Sequence, residues 1–374
     1  MLIKPLKNFN AWLHLWLGLA SGIVVIILSI TGCILVFEQE IKSISSPWLF
    51  AEKPTGGVIL PPSKLYLAVR KALPDKEIHS IWYHGEHQSA AVTIDGDSVA
   101  YLNPYTAKLI DLVHHEDFFD FVDEGHRRLW LPDKIGKQVI GWSTFTFFIL
   151  LLTGLVLWWP KKWNKKGKEQ SFKIKWKAKF KRLNYDLHNV LGFYALLLAL
   201  VMCITGLMMS FSWFNKGVYW LAGGDSNSPK PDQEVFNGAP QNMLMNSDLV
   251  WMKVQKEFAR YNKDQIIISF PDEPEEPIYA CTDMINGYWR DLYFNPLTLE
   301  LTQSAGKRLS ELAFADQLRK LNYGLHVGAF AGLTSKVFFF FASLICASLP
   351  ITGFYIWWGK RKKTKKQSVF LKAS

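Results

Sequence analysis

The chain has 374 residues, 49% hydrophobic and 15% aromatic, with sixteen tryptophans and a formal net charge of +11. A mean hydropathy of +0.05 fits membrane spans alternating with water-soluble segments. The basic excess is sorted by segment and no aromatic-lined basic face goes with it, which argues against a nucleic-acid partner.

Residues 1–37 are predicted to hold the first span, with an apolar stretch at 15–37 that exceeds the roughly 20 residues a crossing needs. Only Lys4 and Lys7 precede it as basic residues. It outruns a signal-peptide core and no clear small-residue cleavage site follows, so it is expected to remain as an uncleaved span. Residues 38–137 are a water-soluble segment and the lead-in to the second span. They open with a helical pattern at 62–73 and continue with alternating runs at 78–83, 90–94 and 99–102. These runs close at the turn Tyr101-Leu102-Asn103-Pro104-Tyr105-Thr106, where Asn followed by Pro marks a reversal between strands. The second span occupies 138–159.

A Lys-rich connection, 160–184, leads to a third span at 185–213. The second soluble segment with its lead-in, 214–334, begins with a polar, Pro-rich stretch around 223–240. It then repeats the first: a helical pattern near 248–261, runs near 266–270, 278–282 and 288–294, and the turn Tyr293-Phe294-Asn295-Pro296-Leu297-Thr298. The fourth span occupies 335–358, and a basic tail, 359–374, ends the chain. The fold class expected is therefore a four-helix membrane protein in two repeats. Each repeat carries a small α+β domain of one helix on an antiparallel sheet.

Charge gives the topology. Residues 161–182 hold eleven Lys/Arg and one acid, and the tail from Lys360 holds seven Lys/Arg and no acid. The two soluble segments, 38–137 and 215–334, each hold fifteen acids against eleven bases. The positive-inside rule places both termini and the Lys-rich loop in the cytoplasm and both soluble segments outside. The loop also suits anionic membrane lipid. Cys33, Cys203 and Cys346 lie in spans and Cys281 is alone outside, so no intrachain disulfide is expected there.

The two halves share a histidine pattern. His14 is followed by Gly18 and Thr31-Gly32, and His188 by Gly192 and Thr205-Gly206, at a constant offset of 174. The closing spans end alike, in Thr153-Gly154 with Trp158-Trp159 and in Thr352-Gly353 with Trp357-Trp358. His126 stands 28 residues before its Gly154, and His326 stands 27 before Gly353. A lone histidine at a helix end is usually an interfacial polar residue. Four at matched positions point to axial ligands of haem iron, His14 with His188 on one level and His126 with His326 on another. With no Cys-x-x-Cys-His the haem would be non-covalent, b-type, and two are expected.

A helical rise of about 1.5 Å per residue puts His14 and His188 about 27 Å from their Thr-Gly pairs, and the two histidine levels are expected about 30 Å apart or more, the hydrocarbon thickness. Trp142, Phe145, Phe338 and Trp213 are candidates to bridge that gap, although packing is the simpler role. Met208 and Met209 are weaker candidates as axial ligands. Arg127 and Arg128 are candidates to pair with haem propionates, or are plain interfacial charges. His84-x2-His87, with His79 or Glu86 nearby, has a loose metal-ligand look, and His114-His115 could be spare ligands. The repeated glycines allow close helix packing or room for a porphyrin.

A span, a helix-plus-sheet segment closing on Tyr-x-Asn-Pro-x-Thr, and a span ending Thr-Gly-x3-Trp-Trp resemble the PepSY-associated transmembrane family. The pattern occurs twice over nearly the whole chain. Members include iron-regulated inner-membrane proteins and ferric-siderophore reductases of Gram-negative bacteria. The resemblance implies b-type haem in the inner membrane, two periplasmic domains and reduction of a periplasmic ferric siderophore from Fe(III) to Fe(II). Some relatives carry a fused flavin or nicotinamide reductase domain. No Gly-rich dinucleotide fingerprint follows a strand here, so a separate cytoplasmic reductase or quinol is the expected electron donor. Aromatic and acidic residues near 118–123 and 288–293 are candidates to line the substrate cleft. Two other functions fit the sequence: a haem reductase for another periplasmic acceptor, and a membrane-anchored, non-redox regulator that binds peptides or a protease.

Overall fold

The computed structural model describes residues 4–370 apart from 97, 115–116, 161, 226–235, 237–239, 241, 259–264, 274, 283–289 and 303–305, and describes backbone alone over 361–370. His115, Tyr261, Tyr288 and most of the Pro-rich stretch lie outside the described residues. The chain forms two compact units. The first comprises Met1–Glu38, Phe118–Val218 and Asn322–Ser374, and the second Gln39–Asp117 and Tyr219–Leu321.

The first unit is helical. Helix α1 (Lys4–Leu35), α5 (Asp133–Trp158), the continuous stretch Phe180–Ser210 and the stretch Ala329–Lys360 are each long and apolar enough to cross a membrane. The third stretch consists of α7 (Phe180–Asp186), one π turn (Leu187–Leu191) and α8 (Gly192–Ser210). The fourth contains most of α12 (Gly332–Phe370). The helices extend beyond the apolar stretches because their polar flanks continue the same turns. α1 packs on α5 and α12, and α8 packs on the same two, so α1 and α8 face each other diagonally. Leu151, Ala199, Cys203, Leu207, Phe211 and Cys346 form a buried cluster between α5, α8 and α12.

Two shorter helices accompany the bundle. α4 (Phe118–Arg128) packs on α1 and α5. α11 (Phe314–His326) delivers its last residues to the same unit. The lead-ins to the second and fourth spans are thus helices in their own right, and each ends within two residues of a candidate histidine.

The second unit is one antiparallel sheet of seven strands in the order β4-β3-β2-β1-β5-β6-β7. The strands are β1 (Ile78–Tyr83), β2 (Ala90–Ile94), β3 (Ser98–Leu102), β4 (Leu109–His114), β5 (Ile266–Ser269), β6 (Ile278–Thr282) and β7 (Arg290–Phe294). The two soluble segments were expected as separate helix-plus-sheet domains; β1 and β5 instead pair, with Ile81 opposite Ile268. Both would otherwise be edges with unpaired backbone groups. One core results, in which Leu65 and Val69 of α3 (Pro62–Ala72) and Val250 and Val254 of α10 (Met243–Glu257) pack against Ile81, Ile268, Leu292 and Phe294. Asp248 ties the helices together by accepting from the Ser63 backbone N–H at 2.8 Å and its hydroxyl at 2.6 Å.

The two Asn-Pro turns have one geometry. Asn103 Oδ1 accepts from the backbone N–H groups of Tyr105 and Thr106 at 2.9 and 3.2 Å, and Asn295 Oδ1 from those of Leu297 and Thr298 at 2.8 and 3.2 Å. Ala107 and Leu299 follow with φ of 55° and 58°, the left-handed step that lets each chain re-enter the sheet.

Candidate functional site

All four candidate histidines lie in the helical unit, and they form two pairs. The rings of His14 and His188 have centroids 6.4 Å apart at 87° between planes. Those of His126 and His326 are 6.1 Å apart at 62°. An imidazole nitrogen binds a metal at about 2 Å, so two ligands across one ion hold their ring centres about 6 Å apart.

Each imidazole is fixed by a threonine on a neighbouring helix. His14 Nδ1 lies 2.9 Å from Thr153 Oγ1, His188 Nδ1 2.9 Å from Thr352 Oγ1, His126 Nδ1 2.9 Å from Thr31 Oγ1, and His326 Nδ1 2.9 Å from Thr205 Oγ1. The proton on each bond follows from the inventory of donors. A threonine hydroxyl has one proton, and all four are aimed at the carbonyl four residues back: Ile149, Ser348, Ile27 and Val201, at 2.7–3.0 Å. The hydroxyl oxygen is therefore the acceptor, and Nδ1–H donates. For His326 a second acceptor, the Met202 carbonyl at 3.0 Å, agrees. Nε2 is left with its lone pair, the state a metal ligand requires.

The glycine after each threonine makes room for the ring. A Cβ at Gly154 would stand 3.2 Å from His14 Cε1, at Gly353 3.2 Å from His188 Cε1, at Gly32 3.3 Å from His126 Cε1 and at Gly206 3.3 Å from His326 Cε1. Each Thr-Gly pair thus receives one imidazole: the hydroxyl takes Nδ1–H, and the missing side chain admits the ring edge.

His14 and His188 border a cavity of about 400 Å³. Its walls are apolar, with Gly18, Gly22 and Gly192 opening space beside Leu349 and Trp158, and Tyr185, Asn189 and Lys360 among its polar lining. Trp158 is itself held, stacked on Phe193 at 3.7 Å with its Nε1–H donating to the Ser171 carbonyl at 3.0 Å. A flat apolar group with a few polar substituents suits such a cavity. The π turn at 187–191 carries His188 into it, a local widening of the kind that re-aims a side chain at functional sites.

The family model described as PepSY-associated TM region matches residues 11–360. The chain belongs to that family. Among curated proteins none matches it. Four apolar helices and this membership make the PepSY-associated TM protein a multi-pass membrane protein.

Other expected site residues have different surroundings. Arg127 pairs with Asp123 at 3.2 Å, and Arg128 pairs with Glu124 and, at 3.0 Å, with Asp133. These guanidinium groups are engaged by carboxylates, two of them at the i, i+4 spacing of their own helix. Trp142, Phe145 and Trp213 join Phe211 in one aromatic group, with centroids 5.2–6.1 Å apart. Trp142, Trp213 and Phe338 are exposed on the bundle flank. Met208 is buried and Met209 half-exposed. In the sheet unit, His84 Nδ1 accepts from Gln265 Nε2 at 3.0 Å. His79 faces Asp95 at 2.8 Å, and His87 is exposed. No group of three or more metal-ligating side chains occurs among the described residues. His114 donates to Ser98 Oγ at 2.7 Å, because that hydroxyl's own proton goes to the Gly96 carbonyl.

Sequence reasoning missed the roles of the threonines and of three asparagines. Asn10, Asn184 and Asn322 each stand four residues before a histidine. Each donates its Nδ2–H to the backbone carbonyl of the threonine that the histidine engages: Thr153 at 3.1 Å, Thr352 at 2.9 Å and Thr205 at 3.2 Å. The signal was present as Asn-x3-His, three times in four.

Proposed function

We propose that the chain is an inner-membrane electron-transfer protein that holds two b-type haems and reduces a periplasmic ferric chelate, such as a siderophore, from Fe(III) to Fe(II). The observation that carries this is the pairing of four imidazoles, each with Nδ1–H committed to a threonine and Nε2 left unprotonated. His14 and His188 would hold one iron, and His126 and His326 the other. A haem with two imidazole ligands has no open coordination position and supplies outer-sphere, one-electron transfer.

The protein's own contribution is orientation and exclusion of water. The threonines keep each ligand in one tautomer, the glycines admit the rings, and the apolar wall around His14 and His188 keeps solvent away. The positive-inside rule puts the Lys-rich connection, the basic tail and the His14–His188 level on the cytoplasmic side, facing a quinol or a reductase. The His126–His326 level and the sheet segments then belong to the periplasmic side. Fe(III) in the chelate gains one electron, its hard oxygen ligands loosen, and Fe(II) is released.

The test is stoichiometric. Protein in nanodiscs is reduced, excess reductant is removed, and a ferric trihydroxamate is added with an Fe(II) trap. One trapped Fe(II) per electron lost from the protein is the expected result. Reduced protein that reacts with other acceptors but not with ferric chelates would leave an electron carrier and remove the chelate.

A further inference from the structure

Asn10 and His14 lie one turn apart on one helix face, as do Asn184 with His188 and Asn322 with His326. Each pair grips one threonine at two points: the histidine binds the hydroxyl and the asparagine binds the carbonyl of the same residue. A single bond to the hydroxyl would let the imidazole swing about its Cβ as the two helices slide. The second bond fixes the helices in register and with them the ring plane. The carbonyl partner can only accept, so the asparagine nitrogen must face it. Asn322 shows that the donor is what matters, since its own Oδ1 is buried with no hydrogen-bond partner among the described residues. Leaving such an oxygen unpaired is unfavourable, and the bond its nitrogen makes to Thr205 offsets that cost.

The fourth position breaks the pattern. Val122 stands four residues before His126 and is 4% exposed. It has no amide to offer Thr31. The difference coincides with the ring geometry: the pair with two such grips, His14 and His188, stands near perpendicular at 87°, and the pair with one, His126 and His326, at 62°.

We propose that Asn10, Asn184 and Asn322 are positioning residues that set the imidazole planes of their histidines, and that Val122 leaves His126 as the one ligand without this grip. The proposal rests on the two-haem function above. It makes the two centres spectroscopically distinct: near-perpendicular axial planes give the more anisotropic low-spin ferric signal. It also makes the His126 level the one that loses its cofactor more readily.

The experiment uses full-length, haem-loaded protein as wild type, Asn10→Ala, Asn184→Ala and Val122→Asn, with low-spin EPR, midpoint potentials and haem retention in detergent measured on each. The expected result is two ferric signals in wild type. Asn10→Ala or Asn184→Ala moves only the more anisotropic one and lowers its retention about tenfold, the lower end for outer-shell partners of metal-ligating histidines. Val122→Asn moves the other signal and strengthens retention. Low-spin signals present but unmoved by all three variants overturn the positioning role and leave the two-haem function standing. A wild type without low-spin signals overturns both. Asn→Ala variants that lose protein yield are replaced by Asn→Ser, which keeps a shorter donor and is expected to shift the same signal by less.

Discussion

His14 and Thr153 are 139 positions apart, yet His14 Nδ1 lies 2.9 Å from Thr153 Oγ1. The bond recurs at His188 with Thr352, His126 with Thr31 and His326 with Thr205. Four repetitions of one contact, each with the threonine proton directed elsewhere, turn four scattered histidines into two imidazole pairs of defined tautomer. Replacing Thr153 by Val keeps shape and removes the acceptor. The expected outcome is a fall of roughly 10–100-fold in haem affinity at one centre, read as loss of about half the haem at limiting concentration. Thr153→Ser should restore it.

The glycines supply an internal control. Gly154→Ala puts a methyl 3.2 Å from His14 Cε1, a ring that cannot retreat without stretching its bond to Thr153, whereas a Cβ at the exposed, helical Gly217 meets nothing within 4 Å. An exposed helical Gly→Ala gains up to about 1 kcal/mol. Gly217→Ala should therefore be neutral or stabilising in thermal unfolding, with haem unchanged, while Gly154→Ala should lose haem from one centre. Equal behaviour of the two would remove the steric role given to Gly154.

Much of this fold was legible in the chain. Strands β1, β2 and β6 have the alternation and the turn punctuation that mark them, and the matched spacing of His14 and His188 marked two imidazoles that the fold brings together. What was not legible is non-local. Nothing at Ile81 says that its neighbour is Ile268, so two domains were expected where one sheet forms. Strand β4 was missed because its side chains are mostly exposed and Leu109–His114 has no buried stripe to read. Thr31, Thr153, Thr205 and Thr352 were visible as Thr-Gly pairs, but the imidazole each receives comes from another helix 95 to 164 positions away.

The continuity of the sheet can be tested by cross-linking. Ser80 on β1 and Ser269 on β5 are directly paired, and Cα atoms of opposed antiparallel residues stand about 4.5–5.5 Å apart, within reach of a disulfide. Ser80→Cys with Ser269→Cys should form an intrachain bond under mild oxidation, seen as a mobility shift reversed by reductant. Two thiols that take up a maleimide but never join would contradict the β1–β5 ladder.

The sheet unit should also be acid-sensitive through His84. Burial pulls its pKa down from 6.5 to about 4, and Gln265 donates to its Nδ1. The folded pKa is the lower one, so the unfolded chain binds more protons between these values. Stability from this group is full above about pH 6.5 and is lost as pH falls toward about 4. His84→Gln should flatten the fall in melting temperature across that window. A slope unchanged by the substitution would assign the acid sensitivity elsewhere.

The most direct measurement is the reduced-minus-oxidised visible spectrum of the purified protein, with haem per chain counted for wild type, His188→Ala and His326→Ala. Low-spin b-type bands, two haems per wild-type chain, and the loss of about half the haem in each variant are expected. A colourless wild type, reproduced after expression with added haem, would contradict the two-haem function and favour the membrane-anchored, non-redox regulator.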